Sequence, residues 1–168
     1  MQIRFAEKTD APALAGIYNF YIENSHATFE IREVSVAEME GRLTKTQESG
    51  YPFLVAVREG EIVGYAYGGP FRPREAYRHS VEVSVYLKNG NEGQGIGTRL
   101  YATLLDKLID LGFHSIIAGI SLPNEASIKL HERFGFEKAA HFREVGNKFG
   151  RWIDVEYWQL IAANNQSI

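Results

Sequence analysis

Ser80-Val81-Glu82-Val83-Ser84-Val85-Tyr86-Leu87, followed by the glycine turn Gly93-Gln94-Gly95-Ile96-Gly97-Thr98, is the stretch on which the fold depends. Its first segment alternates strictly. Val81, Val83, Val85 and Leu87 point one way and Glu82, Ser84 and Tyr86 the other, the period-2 pattern of a strand with one face in the core. Leu100, Leu104, Leu108 and Leu111 then share one helical face and Gly112 suits a C-terminal cap, so the glycines join a strand to an amphipathic helix. Unpaired N–H groups and the positive end of the helix dipole make such a junction an anion site, and glycine lets a phosphate approach the backbone closely. No lysine follows, since Gly97-Thr98 leads to Arg99, which excludes a P-loop. Thr98 also stands where a dinucleotide fingerprint needs its third glycine.

Working outward toward the amino terminus, residues 3–6 read as a short strand and Thr9-Asp10 as the cap of a helix with the apolar stripe Leu14, Ile17, Tyr18, Tyr21. Ser35-Val36-Ala37-Glu38 is a capping-box pattern opening a second helix, with Val36, Met39 and Leu43 as its buried face and an end near Gly50. Residues 52–57 and 62–67 are β-rich runs joined through Glu59-Gly60-Glu61 as a hairpin, and a loop rich in Arg and Pro spans 68–79. In the other direction, 115–120 reads as a buried strand, Asn124 caps a short helix that Gly135 stops, and 137–145 and 151–160 form a last pair of strands. This order predicts an α/β chain with a mixed central sheet and helices on its faces, one domain over 1–160 and a polar tail over 161–168.

Composition narrows the chemistry. The 168 residues, 45% hydrophobic and 23% charged, suffice for one domain with its own core. The absence of cysteine excludes disulfides, thiolate nucleophiles, iron–sulfur ligation and sulfur-based zinc sites. A formal charge of −3 offers no global attraction to nucleic acid or to an anionic membrane, so an anion must be bound locally. No apolar run approaches the ~20 residues of a membrane span and Met1 to Phe5 carries no leader pattern, so a cytoplasmic protein with no membrane partner is expected. His26, His79, His114, His131 and His141 are scattered without ligand spacing, and no metal is expected.

An alternating strand, a turn ending Gly-x-Gly, an amphipathic helix, a strand, then Asn124-x-x-Ser127 and Gly135-Phe136 resembles the acetyl-CoA motifs of the GNAT superfamily of N-acetyltransferases. Within it, Arg72-Pro73-Arg74-Glu75-Ala76-Tyr77, Glu82-x-Ser84-Val85-Tyr86, Leu122-Pro123-Asn124, Leu130-His131-Glu132 and Lys148-Phe149-Gly150-Arg151-Trp152 are similar to the phosphinothricin and methionine sulfoximine acetyltransferases. The resemblance implies a mostly antiparallel GNAT sheet and acetyl-CoA as cosubstrate. It further implies that Val85, Tyr86 and Leu87 hold the pantetheine arm through the backbone, that Gly93, Gln94, Gly95, Ile96, Gly97 and Thr98 hold the pyrophosphate, and that Asn124 contacts the cosubstrate. One departure is plain: the superfamily turn usually opens on Gln or Arg, and Glu92 stands there.

Amide formation from a thioester needs a neutral amine, hence a general base. Glu82, mid-strand among apolar residues, is the candidate, and it occupies the position of the family's catalytic carboxylate. His131 occupies the position where many members offer a Tyr, with a role as acid, base or substrate contact left open, and Tyr86 is an alternative donor. Arg72, Arg74 and Arg78 put three guanidinium groups in seven residues directly before the Glu82 strand, a pattern suited to forking onto carboxylate or phosphinate oxygens. Glu75, Tyr77, Arg133 and Lys148 complete the substrate-side candidates. The expected acceptor is a small amino acid and the expected assembly a homodimer. The alternatives are an acetyltransferase acting on a protein amino terminus or another amine, and a non-catalytic acyl-CoA-binding module.

Overall fold

The computed structural model describes residues 1–162. Seven strands form one sheet in the order β1-β2-β3-β4-β5-β7-β6. They are β1 (Gln2–Phe5), β2 (Phe53–Arg58), β3 (Glu61–Pro70), β4 (Ser80–Leu87), β5 (Ser115–Ser121), β6 (Glu137–Lys148) and β7 (Arg151–Ile161). All neighbours run antiparallel except β4 and β5, which are parallel. The helices are α1 (Ala11–Asn24), α2 (Val36–Glu48), α3 (Ile96–Asp110) and α4 (Glu125–Arg133).

The alternation along β4 sorts the core into two layers. Val81 and Val83 join Leu100, Leu104 and Leu108 of α3 on one face, together with Phe136 and Trp158. Tyr65 and Val55 meet Leu14, Ile17, Met39 and Leu43 of α1 and α2 on the other. Each such apolar side chain contributes about 1.5–3 kcal/mol when fully buried, so losing either layer would remove more than the whole net stability of a typical domain. The capping box opens α2 as the sequence predicts: Ser35 Oγ accepts from the Glu38 N–H at 3.2 Å and Glu38 Oε2 accepts from the Ser35 N–H at 2.8 Å.

Some boundaries move. β3 runs to Pro70, into the predicted loop, because β4 continues to pair with it as far as Val81. Val36 is exposed rather than buried, as a first-turn residue whose α2 face looks outward, and Leu111, one residue past the end of α3, is exposed as well. Ile161 belongs to β7 and Ala162 is buried, its N–H donating to the His114 carbonyl at 2.8 Å, so these two residues of the expected tail are part of the fold. The remaining residues of that tail, 163–168, lie outside the described part.

Candidate active site

β4 and β5 pair only at Ser80–Ser115, Val81–Ile116 and Glu82–Ile117. β5 continues to Ser121 paired with β7, so beyond Glu82 the sheet forks. Main-chain groups of β4 that face β5 past this point have no strand to bond to, and such groups need partners. A narrow channel of about 70 Å³ fills the fork between Val83–Tyr86 and Ala118–Ser121, with Asn124 and Ser127 at its edge. An extended chain bearing amides can lie there as an added strand. Of the three residues expected to hold it, Leu87 is already engaged. Its carbonyl accepts from the Tyr21 hydroxyl at 2.9 Å, and its N–H lies 3.4 Å from the same oxygen, leaving Val85 as the free rung.

Where the fork widens, the glycine turn leads into α3. Gly95 is the N-cap at φ 75°, a left-handed conformation, and a Cβ there would meet nothing within 4 Å; backbone conformation, not crowding, demands glycine. Arg58 reaches from β2 to Gln94 Oε1 and Asn91 Oδ1, both at 2.5 Å, and Glu92 Oε2 accepts from the Gly90 N–H at 2.9 Å. The turn is therefore shaped by its own side chains, while the first N–H groups of α3 have no partner within the helix. This end fits a diphosphate.

The opposite side of the fork opens on a second cavity. α1 and α2 cover the β2–β4 half of their face, and the chain following α1 crosses onto β5, where Ser121 Oγ donates to the His26 carbonyl at 2.6 Å. His26, Ala27, Phe29, Arg72, Gly119, Phe142 and Tyr157 enclose a cavity of about 410 Å³. Glu82 looks toward it: a Cβ on Gly119 would lie 3.6 Å from Glu82 Oε1 and 3.6 Å from Tyr157 Cε1. Glu82 has no ion-pair partner among the described residues. Burial pushes its carboxyl above the ordinary 4.5, and the positive charge of Arg72 opposes that shift. A raised, unpaired carboxyl beside a small cavity is the arrangement a general base requires.

The Acetyltransferase (GNAT) domain family matches residues 3–157. The chain belongs to the GNAT acetyltransferases. It is 41% identical over 162 residues to a phosphinothricin N-acetyltransferase of Streptomyces coelicolor, covering 95% of each chain. A GNAT phosphinothricin acetyltransferase from Sinorhizobium meliloti solved in complex with acetyl-CoA superposes with a TM-score of 0.95 at 37% identity, covering 99% of this chain and 91% of that one. A ribosomal-protein-alanine N-acetyltransferase from Brucella melitensis superposes equally well, with a TM-score of 0.95 at 44% identity over 96% of this chain and 100% of that one. Acetyl-CoA is thus the cosubstrate, and the fork and the glycine turn provide backbone groups suited to its amides and phosphates.

Within this GNAT site the remaining sequence candidates divide. Arg72 lines the cavity of about 410 Å³, with its guanidinium 4.4 Å above the Phe71 ring. Glu75 and Tyr77 lie on an exposed single-turn helix that Arg74 and Arg78 flank, and none of the four lines that cavity. Asn124 caps α4, its side chain accepting from the Ser127 N–H at 3.1 Å. Tyr86 packs against Tyr18, Tyr21 and Tyr65 at ring distances of 5.2–5.4 Å, on the face away from α3.

Three candidates are held by contacts within the protein. His131 is buried, and both ring nitrogens are engaged. Nδ1 lies 2.7 Å from the Ser127 carbonyl and must donate to it, so in the neutral ring Nε2 accepts from the Tyr101 hydroxyl at 2.8 Å. Burial also lowers its pKa, which favours the neutral ring, and the side chain borders the fork beside Asn124 and Ser127. Lys148, expected to bind substrate, is buried and donates to the carbonyls of Ser25 at 2.6 Å, Thr28 at 2.7 Å and Tyr21 at 3.3 Å. It straps the end of β6 to the segment bearing His26 and Phe29, and so shapes the pocket without entering it. Arg133 stands on the other side altogether, its Nη1 donating to Thr98 Oγ1 at 3.2 Å in the first turn of α3.

Sequence reasoning missed His26, Phe29, Phe142 and Tyr157 as pocket walls, and Tyr21 at the fork. None belongs to a motif, and only the fold brings them together. For Tyr21 a signal existed: a hydroxyl ending an otherwise apolar helical stripe has to find a partner.

Proposed function

We propose that this GNAT enzyme acetylates the α-amine of a small amino acid carrying a polar tetrahedral side-chain group, such as phosphinothricin, methionine sulfoximine or methionine sulfone. The observation that carries the reading is Glu82: an unpaired, up-shifted carboxyl at the last paired position of the fork, facing a cavity of about 410 Å³ that Arg72 lines. Arg72 fixes the acceptor's anionic end, which turns its amine toward Glu82 and converts a bimolecular encounter into a positioned one. Glu82 takes the proton from the ammonium, directly or through a water, and the amine attacks the thioester carbonyl. Main-chain N–H groups of β4 near Val85 meet the developing oxyanion. The C–S bond then breaks, and the departing thiolate of coenzyme A takes up the second proton that the nitrogen loses as the amide forms. The chain has no cysteine to form an acetyl-cysteine intermediate, which supports direct transfer within a ternary complex.

The Brucella melitensis neighbour supports a second reading, a protein amino-terminal alanine as acceptor. The cavity size and the guanidinium at its wall favour the small anion. Thiol release measured over a panel decides between them, and the chain, free of cysteine, adds no background. Turnover of the three amino acids and none of an alanine-initiated peptide is expected. Turnover of the peptide alone overturns the substrate class, and bound acetyl-CoA with no turnover of any amine leaves a binding module. We also propose a cytoplasmic homodimer. The exposed Phe142, Val145 and Trp152 of the outer β6–β7 ribbon, next to the pocket, support a partner there, and a monomeric mass by sedimentation equilibrium would remove it.

A further inference from the structure

We infer that Gly119 makes room for a secondary amine, so that the enzyme also acetylates N-methyl amino acids. The inference rests on the reading of a small amino-acid acceptor with Glu82 as base, and extends it to a second class of amine. Gly119 stands in the middle of β5 between the buried Ala118 and Ile120, paired with Tyr157 of β7. Glycine weakens the interior of a strand, and often marks a place where a ligand comes close to the main chain. Its backbone is not left-handed, so conformation does not demand it. Crowding explains the strand glycines Gly64, Gly68 and Gly146, where a Cβ would press on Leu87, Val81 and Phe29. At Gly119 an added Cβ would make ordinary contacts, the nearest being Glu82 Oε1 and Tyr157 Cε1, both at 3.6 Å, and Tyr157 Cζ at 3.8 Å.

Those contacts define a gap. One carbon at position 119 would touch the carboxylate and the ring edge together, so without it the gap is open down to the main chain. Gly119 borders both the cavity of about 410 Å³ and the channel in the fork, where amine and thioester have to meet. A nitrogen donating to a carboxylate oxygen at about 2.9 Å carries its attached carbons about 3.6 Å from that oxygen. A carbon on the amine therefore enters the gap while the nitrogen stays on Glu82. The α-carbon is not that carbon, because it also bears the carboxyl group and the side chain, which need the open cavity and Arg72. A dead end one carbon deep takes a methyl group, in contact with the Tyr157 edge. Gly69, opposite Glu82 on β3, offers no such fit, since an added Cβ there meets nothing within 4 Å. The secondary ammonium gives one proton to Glu82, the nitrogen attacks the thioester carbonyl and the C–S bond breaks. The second N–H proton goes to the departing thiolate, leaving a tertiary amide.

Thiol release from acetyl-CoA by the whole chain tests this with methionine sulfone and its N-methyl derivative, the tertiary amide being identified by its mass. The unaltered protein should turn over both, with kcat/KM for the N-methyl compound within about tenfold of that for the primary amine. In Gly119→Ala the ratio of the two should fall about 10- to 100-fold, the discrimination that one methyl group commands in a closed pocket, and in Gly119→Val at least as far. Both amines are read on one sample, so a partly unfolded variant lowers both rates and leaves the ratio alone. Turnover of the primary amine alone by the unaltered protein, an unchanged ratio in Gly119→Ala, or a folded Gly119→Ala that has lost both amines alike each overturns the inference; the last would put the α-carbon in the gap. Unaltered protein that acetylates neither amine overturns the amino-acid reading itself, an outcome distinct from all three.

Discussion

The two sides of the fork are built by different rules. The cosubstrate side is made of main chain: a strand whose pairing stops, a left-handed glycine at an N-cap and the open end of a helix. The acceptor side is made of side chains brought from the segment after α1, the loop before β4, and strands β5, β6 and β7. Backbone recognition tolerates changes of side chain and serves one invariant ligand. A pocket of side chains can be retuned one residue at a time, which is how one GNAT fold serves acceptors as different as an amino acid and a protein terminus.

Substitutions that strike one side should spare the other. The largest effect is expected at the point they share. Glu82→Gln should lower kcat about 10²- to 10⁴-fold at neutral pH with acetyl-CoA affinity unchanged, and recover in part at alkaline pH as the amine loses its proton unaided. An unaltered pH–rate profile would remove Glu82 as base. In the parent enzyme the rate should fall on acidification as the up-shifted carboxyl is protonated. On the cosubstrate side, Gly95→Val places a β-branched residue at φ 75°. It should weaken acetyl-CoA binding about 10- to 100-fold by calorimetry while leaving the acceptor KM within about twofold.

On the acceptor side a smaller effect is expected from Gly146→Ala. A Cβ there would overlap the Phe29 ring, which forms a wall of the pocket. The acceptor KM should rise about fivefold with acetyl-CoA affinity intact, and a matching loss of both would show that the two sides are not independent. The smallest kinetic effect belongs to His131→Phe, with kcat changed less than about threefold and a stability loss of about 1–3 kcal/mol from the orphaned Ser127 and Tyr101 groups. Because burial lowers the native pKa of His131 below 6.5, the unfolded chain takes up its proton first as pH falls. The parent should therefore lose stability from about pH 6.5 downward, and the variant should lack that part of the loss when melting temperatures are compared.

The same division explains what the sequence reveals. Periodicity along 80–87 and 100–108 places a strand and a helix on opposite sides of a glycine turn without reference to the rest of the chain, because every rule involved acts within a few residues. The capping box at Ser35 and the cap at Asn124 are local in the same sense. The acceptor pocket is not local. Lys148 lies 120 residues from Thr28, whose carbonyl it holds, and Arg133 lies 35 residues from Thr98, so no spacing rule connects them. His131 shows the converse limit. A motif can mark a position reliably while its chemistry depends on what packs around it, here Tyr101 and the Ser127 carbonyl.

The fork after Glu82 has a further consequence. A sheet that stops pairing partway along a strand is unfinished, and for as long as the ligand is bound, the small molecule acts as a piece of secondary structure. Val85 and its neighbours then exchange hydrogen bonds with water for hydrogen bonds with a guest that arrives and departs once per turnover. Amide hydrogen exchange at Val85 should thus follow the catalytic cycle itself, slow when the seam is closed and fast when product has gone, while Ser84 and Tyr86, whose main-chain groups turn to β3, stay protected throughout.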